Sequence, residues 1–155
     1  MNIRTSVLSF VIALVLTLAV GSAQEKQSEA GWVTAKLPEK VAPGQRFTVK
    51  LTLHGVPEGR KLTAHLHWMK GEEYGGFNAW GGEAQPVKGK GPYKFRFNPK
   101  DKPGLTSFSF TVFLSPTGDW KDHTNVVRHA IEKADAAREL KMETVTLGKG
   151  QTIEG

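Results

Sequence analysis

Apolar and polar residues alternate along four stretches of this chain, at residues 47–53, 62–68, 93–97 and 108–114. In the first stretch every odd position is apolar and every even position is Thr or Lys. A period of two is the repeat of a β-strand that buries one face and exposes the other to water. The sequence therefore predicts four half-buried strands, of the kind found in antiparallel sheets.

Turn residues separate these stretches. Pro followed by Gly one or two residues later occurs at 42–44, 56–59, 102–104 and 115–118. Pro presets the backbone of a turn, and Gly adopts the positive φ that many turns need. Further strands are expected at 33–37 and 125–131, which makes six or seven. We predict an all-β fold built as a single antiparallel β-sandwich over residues 31–131.

The C-terminal segment, residues 132–155, has a less regular pattern. Residues 131–142 are rich in helix formers and predict either a short helix or an extended linker. Beyond them, Val145 to Leu147 and Thr152-Ile153 flank a glycine-containing turn at 148–150. That pattern predicts a final hairpin.

The N-terminus has the layout of a secretory signal peptide. A short segment with Arg4 precedes an apolar run at 7–20, and the small residues Gly21-Ser22-Ala23 follow. An apolar run of this length is shorter than the roughly 20 residues of a membrane-spanning helix. We predict a signal peptide at 1–23, a flexible segment at 24–30, and export to the periplasm or the extracellular space with no membrane span after cleavage.

Composition excludes several classes of function. The chain has no Cys among its 155 residues, so disulfides, thiolate catalysis and Cys-bound metals are excluded. Its formal net charge is +6, and its basic residues are scattered along the sequence. A nucleic-acid-binding protein usually concentrates them on one helix or face. We expect no nucleic-acid partner.

The order of alternating strands and Pro–Gly turns, with Trp68 facing inward, resembles a bacterial immunoglobulin-like or fibronectin-III-like domain. The resemblance covers about residues 31–131 and lacks the inter-sheet cysteine pair of antibody domains. It implies a β-sandwich that accompanies extracellular enzymes or binds sugars, proteins or metals.

Residues 71–91 are the most informative for function. Seven of the 21 are Gly, and the stretch holds Tyr74, Phe77 and Trp80. We predict a long loop that folds onto the sandwich, since disordered loops rarely carry three aromatic residues. Either the rings are buried at one end of the sandwich, or some stay exposed as a flat platform for sugar rings. In the second case Asn78 is a candidate hydrogen-bonding residue for sugar hydroxyls.

Trp120 lies in a second polar loop, at 115–125, with no apolar neighbours in sequence. It either covers the end of the sandwich or joins Tyr74, Phe77, Asn78 and Trp80 in the candidate ligand-binding set.

His65 and His67 form a His-x-His pair on the predicted outer face of one strand. Imidazole is a good ligand for copper and zinc, so the pair is a candidate metal site. If residues 55–60 close a hairpin, Lys50 and Thr48 lie opposite these histidines, and a cation at that position disfavours a metal.

No catalytic motif is recognisable in the sequence: neither a nucleophile elbow, nor a phosphate loop, nor a His-Glu-x-x-His motif occurs. We therefore predict a non-catalytic binding or accessory module without a cofactor, whose partner is a polysaccharide or an extracellular protein. Carbohydrate is the first-choice ligand. The alternatives are a periplasmic copper- or zinc-binding protein and a structural or adhesion domain whose aromatic residues are all buried.

Overall fold

A computed structural model describes residues 31–153, and the predicted signal peptide and flexible segment lie outside them. The described chain is all-β and forms ten strands in two sheets, with a single 3₁₀ turn at Trp120–Asp122. The strands are β1 Val33–Pro38, β2 Lys40–Val41, β3 Phe47–Leu53, β4 Lys61–Lys70, β5 Glu73–Trp80, β6 Gln85–Pro86, β7 Tyr93–Phe97, β8 Ser107–Ser115, β9 Asn125–Lys133 and β10 Met142–Leu147.

One sheet has four strands in the order β10-β1-β3-β7, and all its pairs are antiparallel. The larger sheet has the order β2-β9-β8-β4-β5, and β6 also pairs with β4. Its one parallel contact joins β2 to β9. The chain crosses between the sheets repeatedly, so most sheet neighbours are distant in sequence.

The predicted alternation is confirmed in the core. Inward residues of β3 such as Val49 and Leu51 are fully buried, and so are Leu66 of β4 and Phe110 of β8. Side chains from both sheets form one hydrophobic cluster. Across it, the rings of Phe97 and Phe110 meet edge to face, with centroids 5.8 Å apart. Two sheets around one core are consistent with a β-sandwich.

For the C-terminal segment, the short helix and the final hairpin are wrong, whereas the alternative of an extended linker agrees with residues 134–141. The described part of residues 131–142 contains no helix: β9 continues to Lys133, and an irregular connection follows. The final hairpin is also absent from the described chain, because β10 pairs with β1 along all six of its residues. The apolar side chains of Val145 and Leu147 pack against the common core, which favours this distant pairing over a local one.

Candidate ligand-binding surface

Residues 71–91 do not form the long loop that the sequence predicts. Residues 73–80 are strand β5, which forms a hairpin with β4 and lies at an edge of the larger sheet. Gly71 starts the tight connection with a φ of 62°. The glycines and the missing alternation favoured a loop, but both features belong to an irregular strand.

Two β-bulges explain why β5 lacks the period of a strand. Met69 of β4 pairs with Tyr74, His67 with Phe77, and His65 with Trp80. The partners on β4 are two residues apart, whereas the aromatic residues are three apart. Each interval on β5 therefore contains one extra residue, and the register shifts there. As a result all three rings share the outer face of the sheet.

These three residues, called here the β5 rings, are exposed. The exposed fraction is 64% for Tyr74, 46% for Phe77 and 65% for Trp80. The sequence left open whether these rings are buried at one end of the sandwich, and the structure places them on its surface. Soluble proteins rarely expose several neighbouring large apolar side chains unless the patch binds something.

The β5 rings do not form a flat platform. The planes of Phe77 and Trp80 meet at 87°, with ring centroids 6.1 Å apart. Trp80 instead lies parallel to the imidazole of His65, at an interplanar angle of 2° and a centroid distance of 6.0 Å. The expectation of coplanar rings is therefore wrong for this pair, which forms a corner.

The two bulges have different supports. At the first, Gly75 lies against the indole of Trp68, and a Cβ at this position would come within 2.5 Å of that ring. At the second, the side chain of Asn78 turns inward and is only 2% exposed. Its carboxamide donates to the carbonyl oxygen of Lys100 at 3.0 Å and accepts from the Lys100 N–H at 2.9 Å. The structure thus gives Asn78 a positioning role between β5 and the segment after β7.

An open groove of about 780 Å³ runs beside β5. Phe77 and Trp80 line it from the larger sheet, and residues of β3 and β7 line it from the smaller one. Three cations also line it: Arg46, Arg96 and Lys100. No Asp or Glu of the described chain belongs to its lining. This β5–β7 groove combines aromatic and cationic side chains at the edge shared by the two sheets.

The groove is held together by a close approach of the two sheets at Gly81. The Gly81 N–H donates to the carbonyl oxygen of Ala64 at 3.1 Å, and its carbonyl oxygen accepts from the Arg96 N–H at 3.0 Å. A Cβ at Gly81 would lie 2.7 Å from the Phe97 ring, so only glycine fits without a shift. The residue after Trp80 is thereby tied to the backbone of Arg96.

His65 and His67 do not have the predicted neighbours. Residues 55–60 do not close a hairpin, because β3 lies in the smaller sheet and β4 in the larger one, so Lys50 and Thr48 are not opposite the histidines. His65 pairs with Thr111 of β8 and Trp80 of β5, and His67 pairs with Ser109 and Phe77. The predicted pairing assumed that strands adjacent in sequence are adjacent in the sheet, which fails where the chain crosses from one sheet to the other.

Aromatic rings enclose the two imidazoles. His65 contacts Phe77 and Phe113 edge to face, at centroid distances of 5.4 and 5.0 Å. Burial lowers the pKa of His65 to about 4, with a smaller contribution from the charge of His67. Burial also lowers the pKa of His67, and nearby Arg128 adds to the effect. Both rings are therefore neutral at pH 7.

Neutral imidazoles suit a metal, but the pair lacks further ligands. Among residues 31–153 no group of three or more His, Asp or Glu side chains is arranged to hold a metal ion. His67 Nδ1 is hydrogen-bonded to Thr111 Oγ1 at 3.2 Å. The His-x-His pair is therefore surrounded by aromatic rings, and the described chain supplies no further side-chain ligand to complete a metal site with it.

Trp120 is 58% exposed but lies apart from the β5 rings. It begins the 3₁₀ turn after β8, and it is not part of the groove lining. His123 of the same segment contacts Phe113, which in turn contacts His65, so the turn covers one end of the same sheet face. Within the described residues, Trp120 makes no ring contact with Tyr74, Phe77 or Trp80.

Sequence reasoning missed the cations of the groove. Arg46 directly precedes β3, and Arg96 is in β7, a strand that alternates Lys or Arg with apolar residues, so in sequence both look like scattered surface charges. Only the pairing of β3 with β7 and their meeting with β5 bring them next to Trp80. Phe113 was also unexpected, because it is on the outer face yet only 4% exposed.

No helix in the described part of the chain is long and apolar enough to cross a membrane. The chain was compared with protein-family models, curated proteins and solved structures, and none of them matches it.

Proposed function

We propose that this protein is a non-catalytic binding or accessory module that holds a carbohydrate in the β5–β7 groove. The observation that carries the proposal is the exposure of Phe77 and Trp80 beside an open groove of about 780 Å³. Sugar rings have apolar C–H faces that pack on aromatic rings, and their hydroxyls accept hydrogen bonds from neighbouring donors. Arg46, Arg96 and Lys100 supply such donors.

The exposed, perpendicular rings of Phe77 and Trp80 can contact a sugar from two sides. One pyranose face packs on the exposed side of the Trp80 indole, and the perpendicular Phe77 ring limits how far the sugar extends along β5. Tyr74 of β5 pairs with a β4 residue two positions beyond the partner of Phe77, so it offers a third contact about 7 Å away for an extended chain. Asn78 supports the corner from inside, through its hydrogen bonds to Lys100.

The alternatives fit less well. A structural or adhesion domain with all aromatic residues buried does not account for four exposed rings. A copper or zinc site at His65 and His67 needs further ligands, and no suitable group occurs among residues 31–153. We therefore retain carbohydrate binding as the single proposal.

We also propose that the fold is an immunoglobulin-like sandwich and that the protein is exported from the cell. Repeated crossing of the chain between two sheets, and the partly buried Trp68 packed on the core, support the first part. The charged, apolar and small-residue zones at residues 1–23 support the second.

A glycan array probed with the labelled protein tests the proposal, with two variants as a matched pair. Trp80 and Trp120 are similarly exposed, but only Trp80 lines the groove. We expect Trp80→Ala to weaken binding by roughly 10- to 100-fold, as for an aromatic residue central to an interface. Trp120→Ala should bind like the unchanged protein. Binding to no glycan, or equal losses in both variants, would contradict the proposal.

A further inference from the structure

We infer that the carbohydrate bound in the β5–β7 groove is anionic, a polysaccharide carrying carboxylate or sulfate groups. This inference rests on the proposed function, since it assigns the chemical class of the ligand to the same groove. It comes from the charge around the groove rather than from its rings.

All charged side chains that line the groove are cations. Arg46, Arg96 and Lys100 lie there without an acidic neighbour in the described lining. Within residues 31–153 none of the three forms an ion pair. A guanidinium carries a planar set of donors that matches carboxylate and sulfate oxygens, and an unpaired one is available for such a ligand.

The cationic surface continues from the groove across the smaller sheet. Lys94 of β7 pairs with Lys50 of β3, and Lys50 pairs with Lys36 of β1. These three exposed lysines form one row across neighbouring strands, about 5 Å apart in backbone position. Like charges directly opposite each other destabilise a sheet. A polyanion lying across the row would neutralise that repulsion.

The outer face around this row is free of acidic residues. The other outward positions of the paired strands are Arg96, the apolar pair Pro38 and Met142, and threonines at 34, 48, 52, 144 and 146. Arg96 pairs with Thr48 and also lines the groove, so it joins the lysine row to the aromatic residues. The smaller sheet therefore presents four exposed cations on its outer face, and Arg96 brings this positive charge to the groove beside Trp80.

A backbone hydrogen bond keeps Trp80 and Arg96 close to each other. Gly81 follows Trp80 directly, and its carbonyl oxygen is hydrogen-bonded to the N–H of Arg96. A sugar packed on Trp80 therefore lies beside the Arg96 side chain in the same groove. A ring for the sugar face and a guanidinium for its charged group are the two contacts that an acidic sugar unit needs.

Pairs of polymers that share a sugar backbone but differ in charge test whether the charge contributes to binding. Binding of the protein to dextran sulfate and dextran, and to polygalacturonate and its methyl ester, is measured by calorimetry at 20 and 300 mM NaCl. We expect the charged member of a pair to bind at least tenfold more tightly at low salt, and we expect high salt to weaken it. Equal binding within both pairs, or no binding to either charged polymer, would overturn the inference.

Variants assign the effect to the groove. Arg46→Gln/Arg96→Gln should weaken binding of the charged polymer roughly 5- to 30-fold, if each exposed cation contributes about 0.5–1 kcal/mol. The control Lys88→Gln/Lys149→Gln removes two exposed cations outside the groove and should change binding less than twofold. Equal losses in the two double variants would overturn the inference.

The outcomes also distinguish this inference from the proposed function. Neutral glycans that bind through Trp80 with no preference for charged polymers would leave the proposed function intact and overturn the inference. Charged polymers that bind independently of Trp80 would contradict the proposed function. Polyphosphate that competes as well as dextran sulfate would overturn the inference, because the ligand would then be any polyanion.

Discussion

The carboxamide of Asn78 forms two hydrogen bonds with the backbone of Lys100, one to its carbonyl oxygen and one from its N–H. Asn78 is the extra residue of a β-bulge, so its side chain points inward between two exposed aromatic residues. The bulge is thereby anchored to the segment that follows β7. This anchor fixes Phe77 and Trp80 relative to the cations of the groove.

Asn78→Ala removes both hydrogen bonds and leaves the partly buried N–H and C=O groups of Lys100 without their partner. We expect the free energy of unfolding to fall by about 2–3 kcal/mol, measured by urea denaturation. The control Asn98→Ala changes an exposed residue that lines the same groove and should stay within about 0.5 kcal/mol. Similar values for the two variants would contradict the anchoring role.

Gly75→Ala tests the packing of β5 on Trp68. The added Cβ would come within 2.5 Å of the indole, so the strand or the ring must move. We expect a loss of about 2–3 kcal/mol of stability, as for overpacking of a filled site. Gly59→Ala is the comparison, because Gly59 has a φ of 89° but open space around it. It should lose only about 1 kcal/mol, from backbone strain alone. A Gly75→Ala protein as stable as the unchanged chain would contradict the close packing.

Two threonines on the same face of the larger sheet should respond in opposite directions. Thr63 Oγ1 is buried with no hydrogen-bond partner among the described residues, whereas Thr111 Oγ1 is paired with His67. Thr63→Val should therefore raise the unfolding free energy by about 0.5–1 kcal/mol, and Thr111→Val should lower it by about 1 kcal/mol. Thermal and urea denaturation of the two variants provide the measurement. Stabilisation by Thr111→Val would show that the hydrogen bond to His67 is unimportant.

The enclosed histidine makes stability depend on pH. The pKa of His65 is about 4 in the folded protein, below its ordinary value of 6.5. The unfolded chain therefore binds a proton that the folded protein excludes, and stability falls as the pH drops from 6.5 to about 4. The full pKa difference corresponds to about 3 kcal/mol, and partial exposure of the ring to solvent reduces this to about 1–2 kcal/mol.

His65→Gln isolates this contribution, because acidic residues titrate in the same pH range in both proteins. We expect the variant to lose about 1–2 kcal/mol less stability than the unchanged protein between pH 7 and pH 4.5. Urea denaturation at the two pH values measures the difference. Identical pH profiles would show that burial of His65 does not exclude a proton.

The local alternation of apolar and polar residues was sufficient to predict most strands, but it did not predict which strands pair with each other. Alternation at 47–53 and 93–97 predicted β3 and β7 with the bounds that the structure has. Their pairing with each other, across more than 40 residues of chain, is set by the common core and has no local signal. For the same reason β3 and β4 do not form a hairpin although they are adjacent in sequence, because sequence proximity does not determine which sheet a strand joins.

The sequence predicted which aromatic residues belong to the candidate site, but it did not predict how they are arranged in space. Tyr74, Phe77 and Trp80 stood out by composition, but a spacing of three gives no sign of a shared strand face. The bulges at Gly75 and Asn78 create that shared face, and a bulge leaves no distinctive pattern in a single sequence. The contribution of Arg96 was equally hidden, since it depends on the hydrogen bond of its backbone to Gly81.

The most direct test of the central claim is a map of where the ligand binds, by ¹⁵N chemical-shift changes during titration of the protein with its best glycan. We predict that the largest changes fall on the Trp80 indole N–H and on the backbone amides of Phe77, Gly81 and Arg96. Changes centred on Trp120, or confined to residues away from β5 and β7, would contradict the assignment of the groove as the binding site.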